Sequence, residues 1–188
     1  ASDLAGERRP VCLAAGFFDG VHRGHQRVLR ATLDRARRLH GSAWVMTFDT
    51  HPLKVLAPDS APVLLTSLAH KLGMLEAMGF DGCLLLRFTP RLAGVDPRAF
   101  LTRLWAEVPA LNAIFVGLNW RFGHHGRGDI RLLRAMAAPR GIRVVAVPPV
   151  RRHRQAISST RIRRAVVDGR MADAAAMLGR PFSILGTI

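Results

Sequence analysis

Two histidines three residues apart, His22 and His25, stand in the run GFFDGVHRGHQRVL from Gly16 to Leu29. An imidazole can donate a hydrogen bond, carry a proton near neutral pH or ligate a metal, so two of them together can offset charge building on an oxyanion. The run lies where an apolar segment turns into an amphipathic helix, and a helix start presents unpaired backbone N–H groups and the positive end of its dipole. Gly16, Gly20 and Gly24 let the main chain come close to a ligand. The spacing is neither the G-x-G-x-x-G of dinucleotide folds nor a Walker A loop, which needs Gly-Lys followed by Ser or Thr. A metal pair is another reading of H-x-G-H, but nothing beside it completes a zinc set. Two unrelated structural histidines are the plain alternative.

A second constellation lies far along the chain, in ISSTRIRRAV from Ile157 to Val166. It too follows an apolar run and enters a helix, with the hydroxyls of Ser159 and Thr160 at the start and Arg163 one turn in on the same side. Alone, Ser-Ser-Thr is an ordinary helix cap. Combined with H-x-G-H it is a second phosphate-holding helix start, and one domain with two such ends can grip a nucleoside triphosphate from both sides.

The elements that must position these residues alternate. VCLAAG (Val11–Gly16), AWVMTF, CLLLRF, AIFVG and RVVAV read as five short apolar strands. Between them lie helical patterns: one from His25 to His40, and one capped by Thr66 or Ser67 and running to Met78 before Gly79. A third opens on Asp96 and Pro97, and a fourth is capped by Asp129 and reaches Ala138. Two more close the chain, Thr160–Val167 before Gly169 and Ala172–Leu178 before Gly179. Strands that are apolar throughout, separated by helices, imply a parallel sheet covered on both faces. Ligands of such sheets sit beyond the carboxyl ends of the strands, which is where both constellations fall.

Composition bounds the rest. The 188 residues suit one domain, 1–188, with a single core, and 49% hydrophobic content argues against disorder. No apolar run is long enough to span a bilayer, and ASDLAGERRPV lacks the order of a signal peptide. Cys12 and Cys83 sit in apolar runs, as buried thiols of a reducing compartment do, so a cytoplasmic location is expected. The net charge is +15, almost all of it arginine, with Lys54 and Lys71 the only lysines. Such a field suits a polyanionic partner. The arginines are scattered and stacking aromatics are scarce, which speaks against a specific nucleic-acid binder.

The motifs together resemble the nucleotidylyltransferase superfamily, and within it the FAD synthetase (FMN adenylyltransferase) module of bacterial bifunctional riboflavin kinase/FAD synthetases. The likeness rests on GFFDGVHRGHQ, TFDTHP, VGLNWRFG, Gly128-Asp129, ISSTRIR and LGRPFSILG, which run in the family's order from Gly16 to Gly186. It implies a Rossmann-like α/β fold, a five-stranded parallel sheet flanked by helices, and adenylyl transfer from MgATP to FMN to give FAD and pyrophosphate. By the same likeness His22, His25, Asn119 and Arg163 serve the reacting phosphates. Gly16, Phe17, Phe18, Asp19 and Gly24 line the nucleotide pocket, and Ser159 and Thr160 hold the β- and γ-phosphates. Asp49, His51 and Pro52 face the flavin phosphate. Mg²⁺ is expected on the phosphates and water rather than on protein ligands. Thr50 replaces the family's usual proline in TFDPHP, and Trp120 its usual phenylalanine. The family's kinase barrel would begin near SILGTI, so only the adenylyl-transferring module is expected here. Two other readings share the scaffold: a degenerate nucleotide- or RNA-binding regulator, and adenylyl transfer to a different phosphorylated acceptor.

Overall fold

The computed structural model describes residues 2–185; Gly186, the end of the last quoted motif, and the outer limits of the expected 1–188 domain lie outside them. Five strands form the sheet: β1 (Val11–Ala15), β2 (Ser42–Phe48), β3 (Gly82–Leu86), β4 (Leu111–Gly117) and β5 (Arg143–Val147). All pair in parallel, in the order β3-β2-β1-β4-β5. The α/β class, the strand count and the parallel direction agree with expectation, with strand ends moved by one or two residues.

β1 is apolar at every position because both of its sides are covered. Val11, Leu13 and Ala15 pack with Leu101, Leu104, Trp105, Leu133 and Ala137 on one face. Cys12 and Ala14 pack with Val28, Leu29, Leu33, Ala36 and Leu75 on the other. Alternate residues of a strand point to opposite faces, so a central parallel strand has no polar side. The thiols of Cys12 and Cys83 are both free, the first buried and the second half-buried, and burial raises the pKa of each.

The helices are α1 (Ser2–Ala5), α2 (Arg23–Arg38), α3 (Leu53–Leu56), α4 (Leu68–Ala77), α5 (Pro90–Ala93), α6 (Pro97–Glu107), α7 (Ile130–Ala137), α8 (Ser159–Val167) and α9 (Met171–Leu178). Helices α4, α6 and α7 start on side chains that the sequence marks, whereas α1, α3 and α5 are not expected from it. Helix α2 runs two residues earlier at each end than expected, because His22 caps it. Ser67 accepts from the His70 N–H, Asp96 from the Arg98 and Ala99 N–H groups, and Asp129 from the Leu132 N–H. α8 begins at Ser159, one residue earlier than expected, because Ser158 is its cap and accepts from the Arg161 N–H. Helices α8 and α9 pack together over Leu65 and Ile157 as a third apolar cluster.

The two-stranded hairpin β6 (Arg151–Arg152) and β7 (Gln155–Ala156) has no counterpart in the sequence reading. Its turn places His153 and Arg154 at φ of 51° and 63° without the Gly or Asn that signals such a turn.

From β1 the chain moves outward to β2 and β3, then returns to lay β4 on the other side of β1. The carboxyl ends of β1 and β4 therefore diverge at the switch in strand order, and the cleft opens there.

Candidate active site

Beyond β1 the chain makes a tight 3-10 turn, Asp19–Val21, before α2. Phe18 and Val21 take φ of 56° and 39°, a left-handed region that side chains avoid, most of all β-branched ones. The turn persists because its polar groups are captured from elsewhere. Ser159 Oγ donates to the Asp19 carbonyl at 3.0 Å, Arg180 Nη2 to the Gly20 carbonyl at 2.9 Å, and Gln26 Nε2 to the Val21 carbonyl at 2.9 Å. The buried Asp19 carboxylate accepts from the Leu65 and Thr66 N–H groups at 3.0 and 3.3 Å, and from Arg163 Nη2 at 2.7 Å. Asp19 is 3% exposed, so its charge is offset by this set rather than by water.

His22 caps α2, its Nδ1 accepting from the His25 N–H at 3.2 Å. The two rings stack with centroids 3.5 Å apart, and Phe18 meets His25 edge-on. A Cβ on Gly24 would come within 3.0 Å of the His22 ring, so the backbone at 24 supplies the space that ring occupies. Burial pulls the His22 imidazole down to about 4. It also holds His25 well below its usual value, and the neighbouring His22 and the Lys71 ammonium push it the same way. Both rings are neutral at pH 7.

These residues line a cleft of about 430 Å³. One wall is Gly16, Phe17, Phe18, Asp19, His22, Gly24 and His25; the facing wall is Ser159, Thr160 and Arg163 of α8, with Asn119 beyond β4. The two helix starts meet across it. Arg163 is tied on two sides, Nη2 to Asp19 and Nε to the Val63 carbonyl at 2.6 Å, which leaves Nη1 for a ligand. Ser159 spends its hydroxyl proton on the turn, while Thr160 is exposed at the cleft.

The segment after β2 divides. His51 lines the cleft and packs edge-on against Phe17 at 4.9 Å, its Nδ1 accepting from the Leu53 N–H. Burial and the Arg163 charge lower its pKa. Pro52 lines a second cavity of about 410 Å³, walled by apolar side chains including Phe48, Phe88, Phe100 and Phe122. Asp49 lines neither cavity; its Oδ1 accepts from the Phe88 N–H at 3.0 Å and braces the loop. Trp120 lines both cavities and stacks on Phe122 with centroids 4.6 Å apart.

Behind the cleft, Lys71 of α4 donates to the Phe17 carbonyl, to Thr47 Oγ1 and to the Phe48 carbonyl at 3.2, 3.2 and 2.9 Å. Sequence spacing does not mark Lys71, Thr66, Gln26 or Arg180 as site residues. Their partners lie in other segments, and the one local hint is that Lys71 is one of two lysines in a chain otherwise basic through arginine.

Among the described residues no helix is long and apolar enough to cross a membrane. The FAD synthetase family model matches residues 5–161. The bifunctional riboflavin kinase/FMN adenylyltransferase of Escherichia coli (strain K12) is 35% identical over 176 residues, covering 94% of this chain and 56% of that protein. The protein of the same name from Pseudomonas fluorescens is 32% identical over 186 residues, 99% of this chain and 60% of its own. The chain thus spans little more than half the length of these curated relatives. A crystal structure described as a macrolide-efflux protein from Streptococcus pneumoniae superposes with a TM-score of 0.82 at 30% identity, over 94% of this chain and 57% of that one. With the match running from the first helix through both helix starts of the cleft, the chain belongs to the FAD synthetase family.

Proposed function

We propose that the chain transfers the adenylyl group of MgATP to FMN, yielding FAD and pyrophosphate. The carrying observation is one cleft in which two helix starts face each other beside neutral, stacked imidazoles, joined through Trp120 to an aromatic-walled cavity. FMN adenylyltransferase is one of two activities in the relatives' name, and it is the one this pair of cavities suits. The cleft offers N–H groups and hydroxyls to phosphates, and the apolar cavity offers flat walls to a ring system such as isoalloxazine.

In this reading a phosphate oxygen of FMN attacks the α-phosphorus of ATP. A new P–O bond forms, the bond to the bridging oxygen of the β-phosphate breaks, and pyrophosphate leaves with the electron pair. The phosphate of FMN is already ionised at neutral pH, so the protein need not supply a base. Its work is placement and charge stabilisation. His25, with its proton on Nε2, donates to an oxygen of the reacting phosphates, and His22 supports it from the stacked position. Asn119 reaches the reacting centre from β4. Thr160, the first N–H groups of α8 and Nη1 of Arg163 hold the departing pyrophosphate. Ser159 and Asp19 keep the turn in shape, and Gly16, Phe17, Phe18 and Gly24 give the nucleotide its wall. His51 and Pro52 stand between the phosphate end and the ring end of FMN, with Asp49 bracing their loop. Mg²⁺ enters with the substrate, on its phosphates and water.

Incubation with MgATP and FMN, with the flavins separated by chromatography, tests the assignment. FAD is the expected product. A different adenylylated product, formed faster from another phosphorylated acceptor at equal concentration, would move the assignment to that acceptor.

A further inference from the structure

We propose that Lys71 is a positioning residue for this transfer, its ammonium fixing the nucleotide wall at Phe17 to the acceptor loop at Thr47 and Phe48 so that the two substrates meet in line. The inference rests on the adenylyltransferase reading above.

Lys71 lies outside the cleft lining and is 4% exposed. Its three N–H bonds all go to the ends of two adjacent strands: the Phe17 carbonyl past β1, and Thr47 Oγ1 and the Phe48 carbonyl at the end of β2. Thr47 Oγ1 in turn donates to the same Phe17 carbonyl at 2.9 Å, so the three groups form a closed knot. Nζ also sits 4.5 Å from the centre of the Phe17 ring, the ring whose other neighbour is His51. One ammonium thus touches the nucleotide wall through Phe17 and the acceptor loop one residue before Asp49.

Packing alone does not explain the residue. α4 is otherwise held by Leu72, Met74, Leu75 and Met78, and a methionine at 71 would bury without the cost of desolvating a charge. Nor does the chain's general basicity, which uses arginine everywhere except at positions 54 and 71. A compact tetrahedral donor suits three converging acceptors, whereas a planar guanidinium does not.

Burial lowers the ammonium to about 8. The groups facing it are Asp19 on the turn, Asp49 after β2 and Cys83 on β3, all of which favour its charged form, and the neutral His25 of α2. Above that pH the amine keeps two N–H bonds for three acceptors and loses its hold on the Phe17 ring.

The experiment compares wild type, Lys71→Met and Thr47→Val, with kcat, equilibrium binding of each substrate and near-UV circular dichroism measured from pH 6.5 to 9.5. Wild-type kcat should fall as pH rises through about 8. Lys71→Met should lose ~10–100-fold in kcat, the scale of a small misplacement of reacting groups, with ATP and FMN binding each changed less than about threefold and no alkaline step. Thr47→Val should lose less and keep the step. Folded Lys71→Met with wild-type kcat, or with the alkaline step intact, overturns the proposal. If Lys71→Met does not fold, Thr47→Val with wild-type kcat and a flat wild-type profile overturn it equally. Wild type that makes no FAD overturns the adenylyltransferase reading and this inference with it, whereas wild type that makes FAD beside an unimpaired Lys71→Met overturns this inference alone.

Discussion

The imidazoles of His22 and His25 stack between Phe18 and the start of α2, and burial keeps both uncharged at pH 7. A neutral ring can give one hydrogen bond, so in the proposed transfer each histidine would serve as a fixed dipole rather than as a proton carrier. His25→Ala should lower kcat about a hundredfold to a thousandfold with little change in ATP affinity, read from steady-state kinetics beside equilibrium dialysis. Near-normal turnover in a folded variant would remove His25 from the chemistry. Part of this was legible: H-x-G-H after an apolar strand, and Ser159 and Thr160 at the start of a helix, are local patterns that name their own place. The ion pair of Asp19 with Arg163 was not, because its partners are 144 residues apart and each has a different local reading. Asp49 shows the same limit: its motif marks it, but its carboxylate braces the Phe88 backbone.

The turn Asp19–Val21 and helix α8 form one unit, since Ser159, Arg163 and Arg180 all bond to the turn from the far end of the chain. Gly20 takes φ of 77° there, and a Cβ at that position would lie 2.7 Å from Leu65 Cδ1. Gly20→Ala should therefore cost about 1–3 kcal/mol of stability, from backbone strain plus crowding, measured by urea unfolding. An unchanged midpoint would mean that the turn is not strained as described. Helices with caps and strands with continuous apolar runs were readable because both signals lie within a few residues. The hairpin at Arg151–Ala156 was not, because a run of basic residues carries no turn signal and His153 and Arg154 take positive φ without the Gly or Asn that would mark it.

Across the molecule, parallel strands covered on both faces put the cleft at the switch between β1 and β4, and sequence alternation was enough to expect that. What alternation could not give is which buried polar groups the fold must keep neutral. His22 protonates near 4 when folded and near 6.5 when unfolded, so between those values the unfolded chain binds more protons. The contribution of this side chain to stability is fully present above pH 6.5, is lost as pH falls toward 4 and levels off below, about 3 kcal/mol in all. His25 acts in the same direction. Urea unfolding at pH 7.5 and 4.5 should show the loss, and His22→Asn should reduce it; equal losses in both proteins would place the acid sensitivity elsewhere. The claim on which the rest depends is that one cleft joins AMP to FMN without a covalent enzyme intermediate. Simultaneous assay of FAD and pyrophosphate in reactions with MgATP tests it most directly. The two products should appear in equal amounts when FMN is present, with neither formed when FMN is left out. Pyrophosphate released without FMN, or no FAD from a folded chain supplied with both substrates, would contradict it.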